Sequence, residues 1–491
     1  MSLTVGIDLG TTNSAIAFHD GREAAIIETA EGLRVMPSVI AFKDGKPIVG
    51  RPALTQSRSN SEFSFFNIKR LMGERFVDGE DFGAHTERGP DGMIWFKGPD
   101  RLYSAPEMSS FLITAMLDAA ELRLGERPER AVITIPANFG TDAAYATKEA
   151  ARLAKLKEVV LLHEPTAAAT AHGVLHSKFA RLAIYDFGGG TFDIALMDVG
   201  RGEHTTIETN GDRHLGGADF DYRIIQHART AWNTRHADID LSVDALGRIR
   251  DASEQAKIAL SSTDETNVYV RYAHTSEKGH FHMNEPLTKA KLEEMTADLI
   301  ERTLATCQRA LSSAGRTRED VDEVILVGGM TRMPAVSVAV EKFFGKKPRR
   351  NALNPEEVVA LGAATHGAVL DNRARFNLDD RTSFSFGIKA AGNAFSRVIP
   401  KGSPFPTEQS ILVTTNDDNQ DVCTIHVFEG EDPRADRNRR LVHMHVPVEM
   451  TAKGEVTVEL TFKLDDNSLL TVDGRIPGGE SFPIYAGRTS G

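Results

Sequence analysis

The sequence predicts an α/β architecture continued by an all-β segment, and three observations lead there. Up to about residue 375, short apolar runs alternate with longer amphipathic stretches. From residue 383 onward the apolar period shortens to two, with turn signals between the runs. One strand–turn–strand pattern also occurs twice in the first part, as expected of two related lobes.

Taken in order, strand-like runs fall at 4–7, 131–135, 182–185 and 323–327, and helical stretches at 106–124 and 287–313. After them come short alternating runs at 383–389, 394–399, 411–415, 423–428, 441–448, 455–464 and 469–476. Turn clusters such as Asp417-Asp418-Asn419-Gln420 and Asp465-Asp466-Asn467 separate these runs, which is the spacing of an antiparallel sandwich. The expected division is a unit over 1–375, with lobes of roughly 1–180 and 181–375, a linker over 376–382, and a β unit over 383–491.

At 491 residues, 41% hydrophobic and 26% charged, the chain is long enough for more than one compact unit. Its 57 basic and 69 acidic residues give a net charge of -12, which argues against nucleic acid as a partner. The opening residues carry no basic, apolar leader pattern, and no run of about 18 apolar residues suggests a membrane span. Cys307 and Cys423 are far apart and form no Cys-x-x-Cys pair, so a reducing cytoplasm is expected. Cys307 shares a helical face with Ile300, Leu304 and Leu311 and reads as core. The basic run Arg434, Arg437, Arg439 and Arg440, interleaved with Asp432 and Asp436, reads as a solvated hairpin loop.

The repeated pattern carries the chemistry. Gly6-Ile7-Asp8-Leu9-Gly10-Thr11-Thr12 and Ile184-Tyr185-Asp186-Phe187-Gly188-Gly189-Gly190-Thr191 each break an apolar strand with Asp-x-Gly. Glycines in such a turn leave backbone N–H groups open to an anion, and the threonines add hydroxyl donors. Two turns could grip a polyphosphate from both sides while Asp8 and Asp186 offer oxygens to Mg²⁺, directly or through its waters. One Gly-rich turn alone is as readily a tight hairpin. A Gly-Lys-Ser/Thr loop is absent, which excludes the ordinary P-loop.

These turns, together with Val324-Ile325-Leu326-Val327-Gly328-Gly329-Met330-Thr331-Arg332, closely resemble the phosphate and adenosine motifs of DnaK-like 70-kDa heat-shock chaperones. Segments around Asn67-Ile68-Lys69-Arg70, His163-Glu164-Pro165, Leu215-Gly216-Gly217, Glu254 to Ser261 and Asn354 to Gly362 follow in the family order, so the resemblance covers nearly the whole chain. It implies a two-lobed, actin-like (ribonuclease-H-like) ATPase unit followed by a β-sandwich that binds extended polypeptide. By the same resemblance Lys69 reaches the γ-phosphate and attacking water, and Glu164 lies near the metal's waters, with Asp8, Asp186 and Thr191 as the other catalytic positions. ATP or ADP is held by Gly10, Thr11, Thr12, Asn13, Gly188, Gly189, Gly190, Asp193, Gly216 and Gly217 on the phosphate side. Glu254, Lys257, Ser261, Gly328, Gly329 and Arg332 serve the adenosine side. The peptide groove maps onto Ile388, Ala391, Val413, Cys423 and Ile425, and interdomain coupling onto Pro136, Phe376, Leu378 and Asp380. Small residues at Gly362, Ala363, Ala364 and Gly367 fit close helix crossing near a hinge. A J-domain co-chaperone and a nucleotide exchange factor are implied partners.

Several positions depart from the family. Ala391, Val413 and Cys423 are smaller than usual for the groove, which implies a looser pocket. Ala144 and Val160 stand where arginines are common, which puts the coupling and the J-domain contact in doubt. The linker, Phe376-Asn377-Leu378-Asp379-Asp380, is more polar than the family's aliphatic run. Up to Gly491 there is too little chain for the family's helical lid, so a lidless member is expected. Two other readings stay open: a small-molecule kinase of the same fold, and a nucleotide-sensing scaffold with little turnover.

Overall fold

The computed structural model describes residues 3–485 and 487, apart from 58–62, 81–84, 174–178, 201, 237–238, 242, 277–278, 350–352 and 375–376. It has mixed α/β content with several sheets. The first sheet is built around Thr4–Asp8, which runs parallel to Arg130–Ile135 and antiparallel to Asn13–His19. Glu158–His163 extends it on one side and Ala24–Ile27 on the other. A second sheet repeats the plan: Ala180–Phe187 runs parallel to Glu323–Val327 and antiparallel to Phe192–Gly200, with Glu203–Asp212 beyond. The sequence echo is thus also a topological one. In each sheet an Asp-x-Gly turn follows a fully paired, buried strand.

Local signals set the helix ends. Ala105–Leu124 starts where the Ser104 side chain accepts a hydrogen bond from Glu107 N, with Pro106 in its first turn, and stops at Gly125 with φ 82°. Lys289–Ser313 starts at Thr288 in the same way and buries Cys307 beside Ile300 and Leu311.

Val358–Leu370 packs against Thr4–Asp8 and against the helix Glu164–Gly173, joining elements far apart in sequence. The approach is close enough to require glycine. A Cβ on Gly6 would lie 2.1 Å from Ala364 N, and one on Gly362 would lie 1.7 Å from Ala167 O.

Downstream, two four-stranded antiparallel sheets share one core. The first orders Phe395–Ile399, Ser385–Lys389, Val422–Gly430 and Arg439–Pro447. The second orders Thr407–Thr414, Thr457–Leu464, Leu470–Arg475 and Ser481–Tyr485. Alternate side chains, including Phe386, Ile425 and Val427 from one sheet and Leu460, Phe462 and Val472 from the other, fill the space between them.

These sheets sit against the first part of the chain through polar contacts. Glu429 accepts from Thr141 N at 3.1 Å, placing a carboxylate at the N-terminus of Thr141–Leu153, where the helix dipole favours it. Tyr485 OH donates to Asp142 Oδ1 at 2.9 Å, and Tyr145 OH donates to Leu470 O at 2.9 Å. The basic run corrects an expectation here. Arg434 is exposed and paired with Asp436, but Arg439 turns inward and donates from Nη2 to Gly73 O at 2.6 Å, with Asp142 Oδ2 at 3.3 Å. Its strand position, opposite Glu429, takes it out of solvent.

Helix propensity alone makes alanine better than glycine by roughly 1 kcal/mol. At Gly362 the backbone clash outweighs that gain. Gly362→Ala is expected to lose about 2–3 kcal/mol of stability, read by thermal or denaturant unfolding, and a stabilised variant would contradict the tight crossing.

Candidate nucleotide and metal site

Both Asp-x-Gly turns open onto one cavity of about 430 Å³. Its wall includes Asp8, Gly10, Thr11, Thr12 and Asn13 from the first turn and Asp186, Gly188, Gly189, Gly190 and Thr191 from the second. The turns meet so closely that nothing larger than glycine fits. A Cβ on Gly189 would lie 1.9 Å from Thr12 Oγ1, and one on Gly190 would lie 2.4 Å from Thr11 Oγ1. Beside them Gly217 opens the helix Gly217–Arg235, so N–H groups of a helix start add to those of the turns.

Between the turns lies a buried charge cluster. Lys69, on the 3-10 turn Ile68–Leu71, is ion-paired with Glu164, the first residue of Glu164–Gly173. Asp8 Oδ1 accepts from Thr134 Oγ1 at 3.3 Å. Burial, reinforced by the Glu164 charge and opposed by Lys69 and Thr134, pushes Asp8 up to about 7. Asp186 and Asp193 are direct cross-strand partners, an unfavourable placement for two like charges. Burial first, then the neighbouring carboxylates, carries Asp186 well above the usual carboxylate range. Burial and Glu164 hold Asp193 at about 7, against the Asn138 N–H and Lys69.

Buried carboxylates that resist ionisation favour a divalent cation, which would offset their mutual repulsion. Among the described residues no three His, Cys, Asp or Glu side chains converge as a metal cage. Two oxygen donors on the cavity wall, Asp8 and Asp186, fit a hard ion that keeps most of its water and takes phosphate oxygens, as Mg²⁺ does.

The other end of the cavity is lined by Glu254, Lys257, Gly328, Gly329 and Arg332. Lys257 Nζ donates to Asp221 Oδ2 at 2.8 Å and to Gly217 O at 3.1 Å, so its partner is Asp221 rather than Glu254. Arg332 Nη2 donates to Asn354 Oδ1 at 2.6 Å. Three expected residues do not line the cavity. Asp193 lies behind the second turn with its Oδ1 on Asn138 N, Gly216 is packed against Gly189 and Gly190, and Ser261 sits in the turn after Val243–Ala259. Sequence reasoning passed over Arg70, which donates to Gly190 O at 2.7 Å and to Asp219 at 2.8 Å, and Glu356, which accepts from Asn13 at 3.2 Å. Both stand inside motifs the sequence made visible, one beside Lys69 and one after Asn354-Pro355.

A family model described as Hsp70 protein matches residues 4–478. The chain belongs to the Hsp70 family. Hsp70 proteins are chaperones and ATPases that bind ATP or ADP with Mg²⁺, and they generally bind unfolded polypeptides and co-chaperones. Among the described residues of this Hsp70 chain, no helix is long and apolar enough to cross a membrane.

The remaining expected residues of this Hsp70 chain lie away from the cavity. Ile388, Cys423 and Ile425 are buried in the core between the two antiparallel sheets, Val413 packs partly on that core, and Ala391 is exposed. The five do not form one open surface. Pro136 is buried at the turn after Arg130–Ile135, Leu378 packs on the core around Ile184 and Val327, and Phe376 lies outside the described residues. Asn377–Asp379 pairs in parallel with Glu203–Thr205 at the edge of the second sheet.

Asp380 completes that attachment. Its carboxylate, fully buried, accepts from Thr206 Oγ1 at 2.9 Å and Thr166 Oγ1 at 3.1 Å and lies 2.9 Å from His163 Nδ1. Burial opposes charge on His163, but Asp380, with Asp193 and Glu164 nearby, raises its pKa above 6.5. Burial would also raise Asp380, yet His163 and the hydrogen bonds hold it below the usual value. A raised histidine contributes stability that is complete below 6.5 and is lost as pH rises through its folded pKa; the Asp380 contribution fades only in acid. Hydrogen-exchange protection of Leu378 to Arg381 is therefore expected to be higher at about pH 6 than at about pH 8.5. His163→Asn should flatten the difference, and an unchanged profile in that variant would remove His163 as its source.

Proposed function

We propose that this chain is an ATP-hydrolysing chaperone in which residues 1–375 bind Mg-ATP, 376–382 link, and 383–491 bind extended apolar segments of unfolded polypeptide. The observation that carries the reading is the meeting of two Asp-x-Gly turns across one cavity with the Lys69–Glu164 pair between them. Gly10 to Asn13 and Gly188 to Thr191 would cradle the phosphates from two sides, and Glu254, Lys257 and Arg332 would face the nucleoside. Asp8 and Asp186 would hold Mg²⁺, partly through water, and the ion when bound supplies charge neutralisation at the phosphates. Lys69 and Glu164 then have complementary parts. The ammonium meets charge that develops on the transferred phosphoryl oxygens, and the carboxylate fixes the ammonium and orients water. A slow basal rate belongs to the same family reading.

Asp193 and Gly216 would support the second turn from behind. The groove reading of Ile388, Ala391, Val413, Cys423 and Ile425 requires the loops around the buried three to part for a peptide. Asp380, bound to both His163 and Thr206, would couple that opening to the end of the strand that precedes Glu164. Val160 is half-buried in Glu158–His163 and offers no cation to a J-domain. A cytoplasmic location belongs to the same reading, with Cys307 and Cys423 both free thiols.

Lys69→Ala is expected to leave Mg-ATP affinity nearly intact while slowing single-turnover hydrolysis on the order of 10²-fold, because the lost contact tightens in the transition state. Unchanged single-turnover hydrolysis would remove Lys69 from the mechanism. For coupling, the polar linker offers fewer buried side chains than an aliphatic run, so fluorescent-peptide affinities with ATP and with ADP should differ by less than about tenfold, and a difference of about a hundredfold would contradict it. Asp380→Ala should bring that ratio close to one, and an unaltered ratio would place the coupling elsewhere.

A further inference from the structure

A second cavity, of about 620 Å³, opens where the antiparallel sheets meet the segment after Ile68–Leu71. Six cations line it: Arg70, Arg75 and Arg213 from one side, and Lys389, Arg439 and Arg440 from the other. Only three carboxylates, Glu74, Glu80 and Asp436, share the wall, in a chain whose overall charge is -12.

Some of these charges are already matched. Arg70 is held by Gly190 O and Asp219, Arg439 by Gly73 O and Asp142 through its Nη2, and Asp436 by Arg434 at 2.8 Å. Glu74 Oε1 lies 3.5 Å from Arg213 Nη1 and 3.6 Å from Arg439 Nη1, within ion-pair range but without a hydrogen bond to either. Those two guanidinium nitrogens are buried and have no acceptor among the described residues. Both point toward Gly140, where a Cβ would lie 2.8 Å from Arg439 Nη1 and 3.2 Å from Arg213 Nη1. Arg75, Lys389 and Arg440 are exposed and make no ion pair among the described residues.

Like charges without partners that face each other across a cleft, Arg75 from one wall and Lys389 and Arg440 from the other, call for an anion. A guanidinium presents paired N–H groups that match phosphate oxygens, and the lining supplies forks from both walls. We propose that this cleft binds a small phosphate-type anion carrying two or more charges, held between Arg75 on one wall and Lys389 and Arg440 on the other. Because the ligand touches both walls, it favours the arrangement in which the antiparallel sheets are seated on the first part of the chain. Its release removes the counter-charge and leaves the two basic walls to repel.

The test is calorimetric titration of inorganic pyrophosphate into the full chain at low salt, with and without saturating ADP. One binding component should survive ADP and weaken as salt rises. Arg75→Gln with Arg440→Gln should weaken that component at least tenfold, while Arg75→Lys with Arg440→Lys keeps most of it. These residues are exposed and unpaired, so folding is not at stake. No component in the presence of ADP, or equal binding by the glutamine variant, overturns the proposal. Were ADP to leave the isotherm unchanged while the glutamine variant lost binding, the nucleotide reading would fail and this one would stand.

Discussion

Two glycine turns must meet face to face with no side chain between them, and most of the molecule serves that constraint. The contact of Gly189 and Gly190 with Thr12 and Thr11 holds only if Thr4–Asp8 and Ala180–Phe187 are both rigid, fully paired strands. Val358–Leu370 packs on the first sheet and on the helix Glu164–Gly173, with glycine-close contact to the one at Gly6 and to the other at Gly362. What the turns enclose is a set of carboxylates poorly able to ionise together. Burial in low dielectric magnifies their repulsion, and Lys69 alone does not offset it. A cation and an anion arriving together, as a metal–polyphosphate does, relieve both sides at once.

The seating of the antiparallel sheets follows a different logic. Leu469 joins the core of the first sheet, and polar contacts across that boundary are made by Glu429, Arg439, Asp142, Tyr145, Tyr485 and Asp380. Such groups are costly to bury unless each finds a partner, so the arrangement is sensitive to geometry and reversible by small shifts. Asp380 exemplifies this, since it meets His163 at the edge of the first sheet, Thr206 in the second and Thr166 in the helix Glu164–Gly173. A polar linker therefore docks by a few well-placed hydrogen bonds where an aliphatic one would dock by area.

Much of the local structure was legible. The run 323–327 is the strand Glu323–Val327, and the stretch 106–124 is the helix Ala105–Leu124, because each carries its own period and end signals. The two turns were legible too, because Asp-x-Gly with threonine occurs twice after an apolar strand, where a single copy is as readily a tight hairpin. Arg439 was misread, because a charge run has no period that tells which member faces inward. Arg70 and Glu356 were passed over because their partners, Gly190 and Asn13, lie far along the chain.

By itself the sequence determined the strands, the helices, the paired turns and the residue types that line the cavity between them, all of which depend on near neighbours. The tertiary structure alone decided which carboxylates face one another, that His163 finds Asp380, and that six cations from distant segments share one cleft. The physical reason is range. Periodicity and capping act over a few residues, whereas electrostatic and hydrogen-bond partners are chosen by packing between segments hundreds of residues apart.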